Sequence, residues 1–222
     1  MTRPFFRTAL FDVDGTLIDS NGAHALSWQQ ALAEHGKPVS LDAVRRLIGM
    51  GGDKLLPSLS EIDEESAVGK AISARKKALF AAYLPTLQPT RGARALLEYL
   101  RRHGVTTVVA TSAGDDEVAA LLAQANVADL LQERASKDSA ARSKPDPDIV
   151  HAALSRANAR VEGAVLVGDT PYDLEAASRA GIPAIALRCG RTWTDVDFAD
   201  AIAIFDDPAD LQNHWEDVVA DP

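Results

Sequence analysis

Apolar and polar positions divide the chain into two stretches with different periods. From residue 17 to 85 the apolar residues recur at helical spacing, with almost no strand signal. The pattern predicts a helix over Ala23–His35, ended by Gly36 with Pro38 beyond, and a second over Leu41–Ile48, with Ser40 as its N-cap. A flexible loop, Gly49-Met50-Gly51-Gly52, is followed by a helical turn over Lys54–Leu59. A long amphipathic helix over Glu64–Leu84 is halted before Pro85.

From about residue 86 strands and helices alternate. Helices are predicted over Gly92–His103, Asp115–Gln124, Ile149–Ala157, Tyr172–Ala180 and Pro208–Trp215. Strands are predicted over Val105–Ala110, Leu130–Glu133, Ala164–Val167, Ile182–Leu187 and Ala201–Phe205, and Ala135–Ser143 reads as a polar loop. Pro171 suits a first helical turn, and Gly104 and Gly181 stop helices. The apolar run Thr8-Ala9-Leu10 supplies a strand before the helical stretch. Such alternation predicts an α/β fold, a Rossmann-like parallel sheet with helices on both faces. Residues 1–16 and 86–222 would form that core, and 17–85 a small all-helical domain inserted after the first strand.

The chain of 222 residues is long enough to bury a sizeable core, and 46% apolar with 25% charged residues is ordinary for a soluble globular protein. A net charge of −9 with no basic stripe argues against nucleic acid as a partner. Cys189 is the single cysteine, which excludes an internal disulfide and suits a reducing compartment. No apolar run reaches the roughly 18 residues of a membrane span, and the stretch around Arg3, Arg7 and Asp12 has no signal-peptide core. The expectation is a cytoplasmic protein, monomer or homodimer, with no membrane partner.

The first strand runs into Phe11-Asp12-Val13-Asp14-Gly15-Thr16. Side chains alternate along a strand, so Asp12 and Asp14 project to the same side. Two close carboxylates raise each other's pKa, and a bound cation relieves this. Oxygen-only ligands favour Mg²⁺ or Ca²⁺ over Zn²⁺. An acidic turn without chemistry is the competing reading. An EF-hand loop is excluded, because its sixth and twelfth positions would be Leu17 and Ala23.

In open α/β sheets ligands bind outside the carboxyl ends of the strands. Asp12 and Asp14 follow the first strand there, Thr111 and Ser112 the second, and Asp169 and Asp173 a later one, while Lys144 sits in a long loop before a helix. Singly, Thr111 or Ser112 reads as a helix cap, Lys144 as a solvated charge, and Asp169 and Asp173 as acids favoured by the helix dipole. Their convergence on one edge points instead to phosphoryl transfer. One carboxylate attacks, Mg²⁺ offsets the charge, a hydroxyl and a lysine hold phosphate oxygens, and a second carboxylate handles the proton. Either hydroxyl of the Thr111-Ser112 pair fits, and Thr111 directly follows the apolar strand.

Four motifs in this order, Asp12-Val13-Asp14-Gly15-Thr16, Thr111-Ser112, Lys144-Pro145-Asp146-Pro147-Asp148 and Gly168-Asp169-Thr170-Pro171-Tyr172-Asp173, carry a resemblance over nearly the whole chain. The sequence resembles the haloacid dehalogenase superfamily, in its phosphatase branch with a helical cap, of the phosphoglycolate phosphatase and β-phosphoglucomutase kind. The resemblance implies Asp12 as nucleophile, Asp14 as acid/base, and phosphate contacts from Thr111 and Lys144, with Ser112 beside them. It implies Mg²⁺ held by the Asp12 carboxylate, the Asp14 backbone carbonyl and Asp169, with Asp173 supporting. Asp14 argues against a dehalogenase, which lacks the second acid.

In such enzymes the cap meets the leaving group. Candidates are His24, Trp28, Arg45, Arg46, the Gly49–Gly52 loop, Asp53 and Lys54, with Trp28 also readable as cap core and the arginines as solvated. The expected activity is Mg²⁺-dependent hydrolysis of a small phosphorylated metabolite, phosphoglycolate or a sugar phosphate. A phosphosugar mutase is the alternative. Mutase relatives are expected to carry an arginine in the cap loop, which here has no cation before Lys54. A receiver-type signalling domain would also use an Asp, Mg²⁺, a hydroxyl and a lysine. It would be about half this length, with its acceptor on a middle strand, yet no Asp ends a strand between Asp14 and Thr111.

Overall fold

The computed structural model describes residues 6–131 and 134–218. Its strands are β1 (Thr8–Phe11), β2 (Thr106–Ala110), β3 (Arg134–Ala135), β4 (Ala164–Gly168), β5 (Ala184–Leu187) and β6 (Ala203–Phe205). Its helices are α1 (Asn21–Glu34), α2 (Leu41–Arg45), α3 (Gly52–Ser60), α4 (Ala67–Tyr83), α5 (Ala93–Arg102), α6 (Asp115–Gln124), α7 (Asp148–Arg156), α8 (Pro171–Arg179), α9 (Pro208–Asn213) and α10 (Trp215–Val218).

The strands make one parallel sheet in the order β3-β2-β1-β4-β5-β6. Central β1 sets Leu10 opposite Val108 of β2 and Leu166 of β4. The pleat sends alternate side chains to opposite faces. Phe11, Val167, Ile185 and Leu187 pack on the face covered by α5, α6 and α9, while Leu10, Leu166, Ala184 and Ala186 pack on the face covered by α7 and α8. With both faces covered, β1, β4 and β5 are buried along their whole length, as the central strands of a parallel sheet require. The sheet order reverses at β1, between β2 and β4, so the crevice for a ligand falls outside the end of β1.

Helices α1 to α4 enclose an apolar cluster of their own, with Trp28, Leu32, Val44, Leu55, Leu56 and Ile72 buried in it. Ser40 caps α2 by accepting from the Ala43 N–H. Helix α4 starts three residues later than its pattern predicts, because the Ser66 hydroxyl accepts from the Gly69 N–H and fixes the start. Ser66→Ala would cost about 1 kcal/mol. Gly51 caps α3, which therefore begins inside the predicted loop.

Helix α2 stops at Arg45, short of the expected Ile48, and two further predicted elements differ. The strand expected at Leu130–Glu133 is displaced to Arg134–Ala135. Leu130 and Leu131 instead pack in the core, and residues 132–133 lie outside the described residues. The helix expected over Pro208–Trp215 is broken at His214, whose ring Nδ1 lies 2.9 Å from the Asp210 carbonyl oxygen and competes with the backbone for it.

Candidate active site

The β1 ladder carries the chain directly to the first acid. The Asp12 N–H still bonds the Val167 carbonyl at 2.9 Å, and Gly15, at φ 76°, then turns the chain. Thr111 is placed likewise by its N–H bond to Ala135, 3.1 Å long. After β4, Thr170 and Asp173 cap α8 reciprocally. Asp173 Oδ2 accepts from the Thr170 N–H at 3.1 Å and hydroxyl at 2.7 Å.

Lys144 joins these ends. Its ammonium donates to Asp12 Oδ1 and to Asp173 Oδ1, each at 2.6 Å, and its side chain is 0% exposed. The solvated charge that a lone lysine suggests is thus a buried bridge between two carboxylates. Burial works against its charge, but Asp12 and Asp173 raise its pKa. Burial pushes the Asp12 carboxyl upward, against the pull of Lys144 and with help from Asp173 and Asp14. Asp173 has one oxygen on Lys144 and the other on Thr170, so it supports rather than faces the site.

Asp169 is held from the opposite side. Its Oδ1 accepts from the Thr16 hydroxyl at 3.0 Å and its Oδ2 from Asn21 Nδ2 at 2.8 Å. A Cβ at Gly190 would lie 1.8 Å from Asp169 Oδ2, and one at Gly15 2.2 Å, so a side chain at either position would push the Asp169 carboxylate aside. Burial, then Asp12 and Asp173, push the Asp169 carboxyl well up.

Asp12, Asp169 and Asp173 bring carboxylate oxygens within 4.8 Å of one another, all buried. Fully ionised, these three carboxyls against the one Lys144 ammonium leave two negative charges, which one divalent cation balances. The donors are all oxygen. Asn21 Oδ1, buried without a hydrogen-bond partner among the described residues, adds another beside Asp169. The residues therefore fit a hard divalent metal ion.

Asp14 stands apart from this group. Its Oδ1 accepts from the Ser20 hydroxyl at 2.5 Å and lies 2.8 Å from His24 Nε2 of α1. Asp12, Asp14, Thr111 and Ser112 line a cavity of about 80 Å³, closed on the helical side by His24, Trp28, the Gly49–Gly52 loop and Lys76. It adjoins a larger one of about 410 Å³ through Trp28, Gly52, Lys76, Ser112 and Glu117. The Lys76 ammonium is 3.4 Å from Glu117 and lies over the Phe80 ring.

The other insertion candidates fall elsewhere. Arg45 and Arg46 are exposed, line a separate cavity, and pair with Asp42 and the Trp193 ring respectively. Asp53 and Lys54 bond Ser143 and Asp146 rather than line the site. Trp28 both packs in the helical cluster and lines the cavity. Asn21, Ser20, Lys76, Glu117 and Gly190 were not among the sequence candidates. Only Thr16, inside the first motif, carried a local signal.

A buried carboxylate–lysine centre at the carboxyl edge of a doubly covered parallel sheet, beneath a helical insertion, defines an α/β hydrolytic enzyme. The sequence matches the family described as haloacid dehalogenase-like hydrolase over residues 9–187. A phosphoglycolate phosphatase of Rhodospirillum rubrum is 31% identical over 92% of this chain and 89% of its own. A phosphorylated carbohydrates phosphatase of Thermotoga maritima is 28% identical over 79% of this chain and 82% of its own. Among solved structures, a hydrolase from Pseudomonas syringae superposes with a TM-score of 0.90 at 28% identity, covering 96% of this chain and 99% of that one. The chain belongs to the haloacid dehalogenase-like hydrolase family and is an enzyme of its phosphatase branch.

Proposed function

We propose that this enzyme hydrolyses phosphomonoesters of small metabolites, of the phosphoglycolate or sugar-phosphate type, through a phosphorylated Asp12. The observation that carries the reading is the pair of 2.6 Å bonds from buried Lys144 to Asp12 and Asp173, beside a cavity that Asp12 shares with Asp14 and Thr111. The Asp12 carboxylate attacks phosphorus, the ester P–O bond breaks, and Asp14 protonates the departing oxygen. Water then attacks the phosphorus, gives its proton to Asp14, and the Asp12–phosphorus bond breaks to release phosphate and restore both acids. Lys144 has a third N–H for a phosphoryl oxygen, and the Thr111 hydroxyl another; Ser112 lies next to it on the cavity wall.

Asp14 must be protonated for the first step and ionised for the second. Burial works to raise its carboxyl, but the His24 ring, the Ser20 hydroxyl and Lys76 hold it down to about 2. That is the ionised form the second step uses, and a dianionic phosphoryl group arriving beside it raises the pKa for the first. A metal ion, proposed as Mg²⁺ on Asp12, Asp169 and the Asp14 carbonyl with Asp173 behind, would offset phosphoryl charge when bound. Residues 17–85 act as the cap that meets the leaving group, as the adjoining larger cavity suggests. The names of the relatives from Rhodospirillum rubrum and Thermotoga maritima support both substrate types. A panel of phosphorylated metabolites assayed with Mg²⁺ for released phosphate tests the reading. Phosphate release from none of them would overturn it.

A further inference from the structure

The turn Ser143–Asp146 carries Lys144, and the helical insertion grips it on both flanks. Lys54, in the first turn of α3, donates from its ammonium to the Ser143 carbonyl at 2.7 Å and to Asp146 Oδ2 at 2.5 Å. Its neighbour Asp53 accepts from the Ser143 hydroxyl at 2.6 Å. Gly51 approaches so closely that a Cβ there would lie 2.5 Å from Ser143 Cβ. The Asp146 N–H also bonds the Ser143 carbonyl, at 3.1 Å, so that one oxygen closes the turn from within and receives Lys54 from outside. The Lys54 and Asp146 side chains are only 25% and 19% exposed, so the pair is partly desolvated and geometrically fixed. Lys54 lines neither cavity beside Asp12.

We infer that Lys54 is a positioning residue: by clasping Ser143 and Asp146 it sets the turn that aims Lys144 at Asp12 and Asp173. The inference rests on the reading of Lys144 given under the proposed function. A lysine head sits on a flexible four-carbon stem, so its placement is inherited from the backbone that bears it. A misplacement of about 1 Å at a positioning group can cost roughly a hundredfold in rate. The clasp forms only while the insertion lies against the sheet, and so ties the setting of Lys144 to that closed arrangement.

A double-mutant cycle tests this, with Lys54→Met and Asp146→Asn assayed on para-nitrophenyl phosphate with Mg²⁺, together with hydrogen exchange over residues 142–148. Each single change should lower kcat/KM by about tenfold or more. The double variant should fall no further than the worse single within about twofold. Exchange over 142–148 should quicken while β1, β4 and the melting temperature stay unchanged. Losses that multiply, or unaltered exchange in that turn, would overturn the inference. Lys144→Met separates the two readings. If it retains activity, the role of Lys144 fails; if it is inactive while Lys54→Met behaves as wild type, only the clasp fails.

Discussion

His24 Nε2 lies 2.8 Å from Asp14 Oδ1, so a side chain of the helical insertion holds an acid at the end of β1. The ring is itself stacked on Phe80 of α4, with centroids 3.8 Å apart, which fixes its orientation. Asp14 therefore has its ionisation set by residues some distance away in sequence and on the other side of the cleft.

The pair makes His24→Ala a stability test with a definite sign. A carboxyl lowered from 3.8 to about 2 contributes roughly 2 kcal/mol to folding. Because the folded pKa is depressed, that contribution is present above the unfolded value and is lost as pH falls toward 2. Without His24, burial is less opposed and the carboxyl rises. Urea unfolding should show the largest deficit of His24→Ala near about pH 6, shrinking toward about pH 3. A deficit that does not narrow with falling pH would assign His24 to packing alone.

Asp12→Asn should abolish phosphate release while the protein stays folded. The amide keeps the shape but cannot attack phosphorus, and losing a covalent nucleophile costs several orders of magnitude. It also removes one of the two carboxylates that Lys144 bridges and leaves Asp173 to hold the ammonium. Circular dichroism and melting should be close to wild type. Residual activity within about tenfold of wild type would remove Asp12 from the nucleophile's role.

Gly190→Ala should weaken the proposed metal site without touching an acid. The added methyl would fall 1.8 Å from Asp169 Oδ2, so the carboxylate must shift. The Mg²⁺ concentration for half-activation should rise at least about tenfold, in the direction of Asp169→Ala. In both variant and parent, binding must displace protons, because burial raises Asp12 and Asp169 in the metal-free protein. Apparent affinity should therefore fall as pH is lowered. Titration calorimetry in buffers of different ionisation heat reads the protons released, and none released would contradict the assignment.

The acids and the hydroxyl were legible because each follows a strand or opens a helix, where local pattern marks the position, whereas Lys144 was marked only by its Lys144-Pro145-Asp146-Pro147-Asp148 motif in the loop before α7. Asp173 shows the limit: its spacing from Asp169 was visible, but its bond to Lys144 closes a gap of 29 residues. Gly190, Asn21 and Lys76 left no local trace, since each matters only through what the fold brings beside it. The short β3 was missed for a related reason. Two residues on an edge strand give no alternation to read, whereas Leu130 and Leu131 look like a strand and pack as core.

The last prediction is hydrolysis rather than mutase chemistry. A mutase must seat the second phosphate of a bisphosphate intermediate, and a dianion there calls for arginine or lysine in bidentate reach. The loop over the site is Gly49-Met50-Gly51-Gly52, and its glycines lie close against their neighbours. A Cβ at Gly49 would lie 2.8 Å from Thr170, at Gly51 2.5 Å from Ser143, and at Gly52 2.5 Å from Glu64. The next cation, Lys54, is taken up by Ser143 and Asp146. Lys76 does line the cavity, but it faces Glu117, which opposes a second dianion more than a single carboxylate or a neutral sugar. Given β-glucose 1-phosphate with a trace of the 1,6-bisphosphate, the enzyme should release free phosphate faster than it forms glucose 6-phosphate. Glucose 6-phosphate appearing first would make it a mutase, with its second phosphate held by backbone amides of that loop.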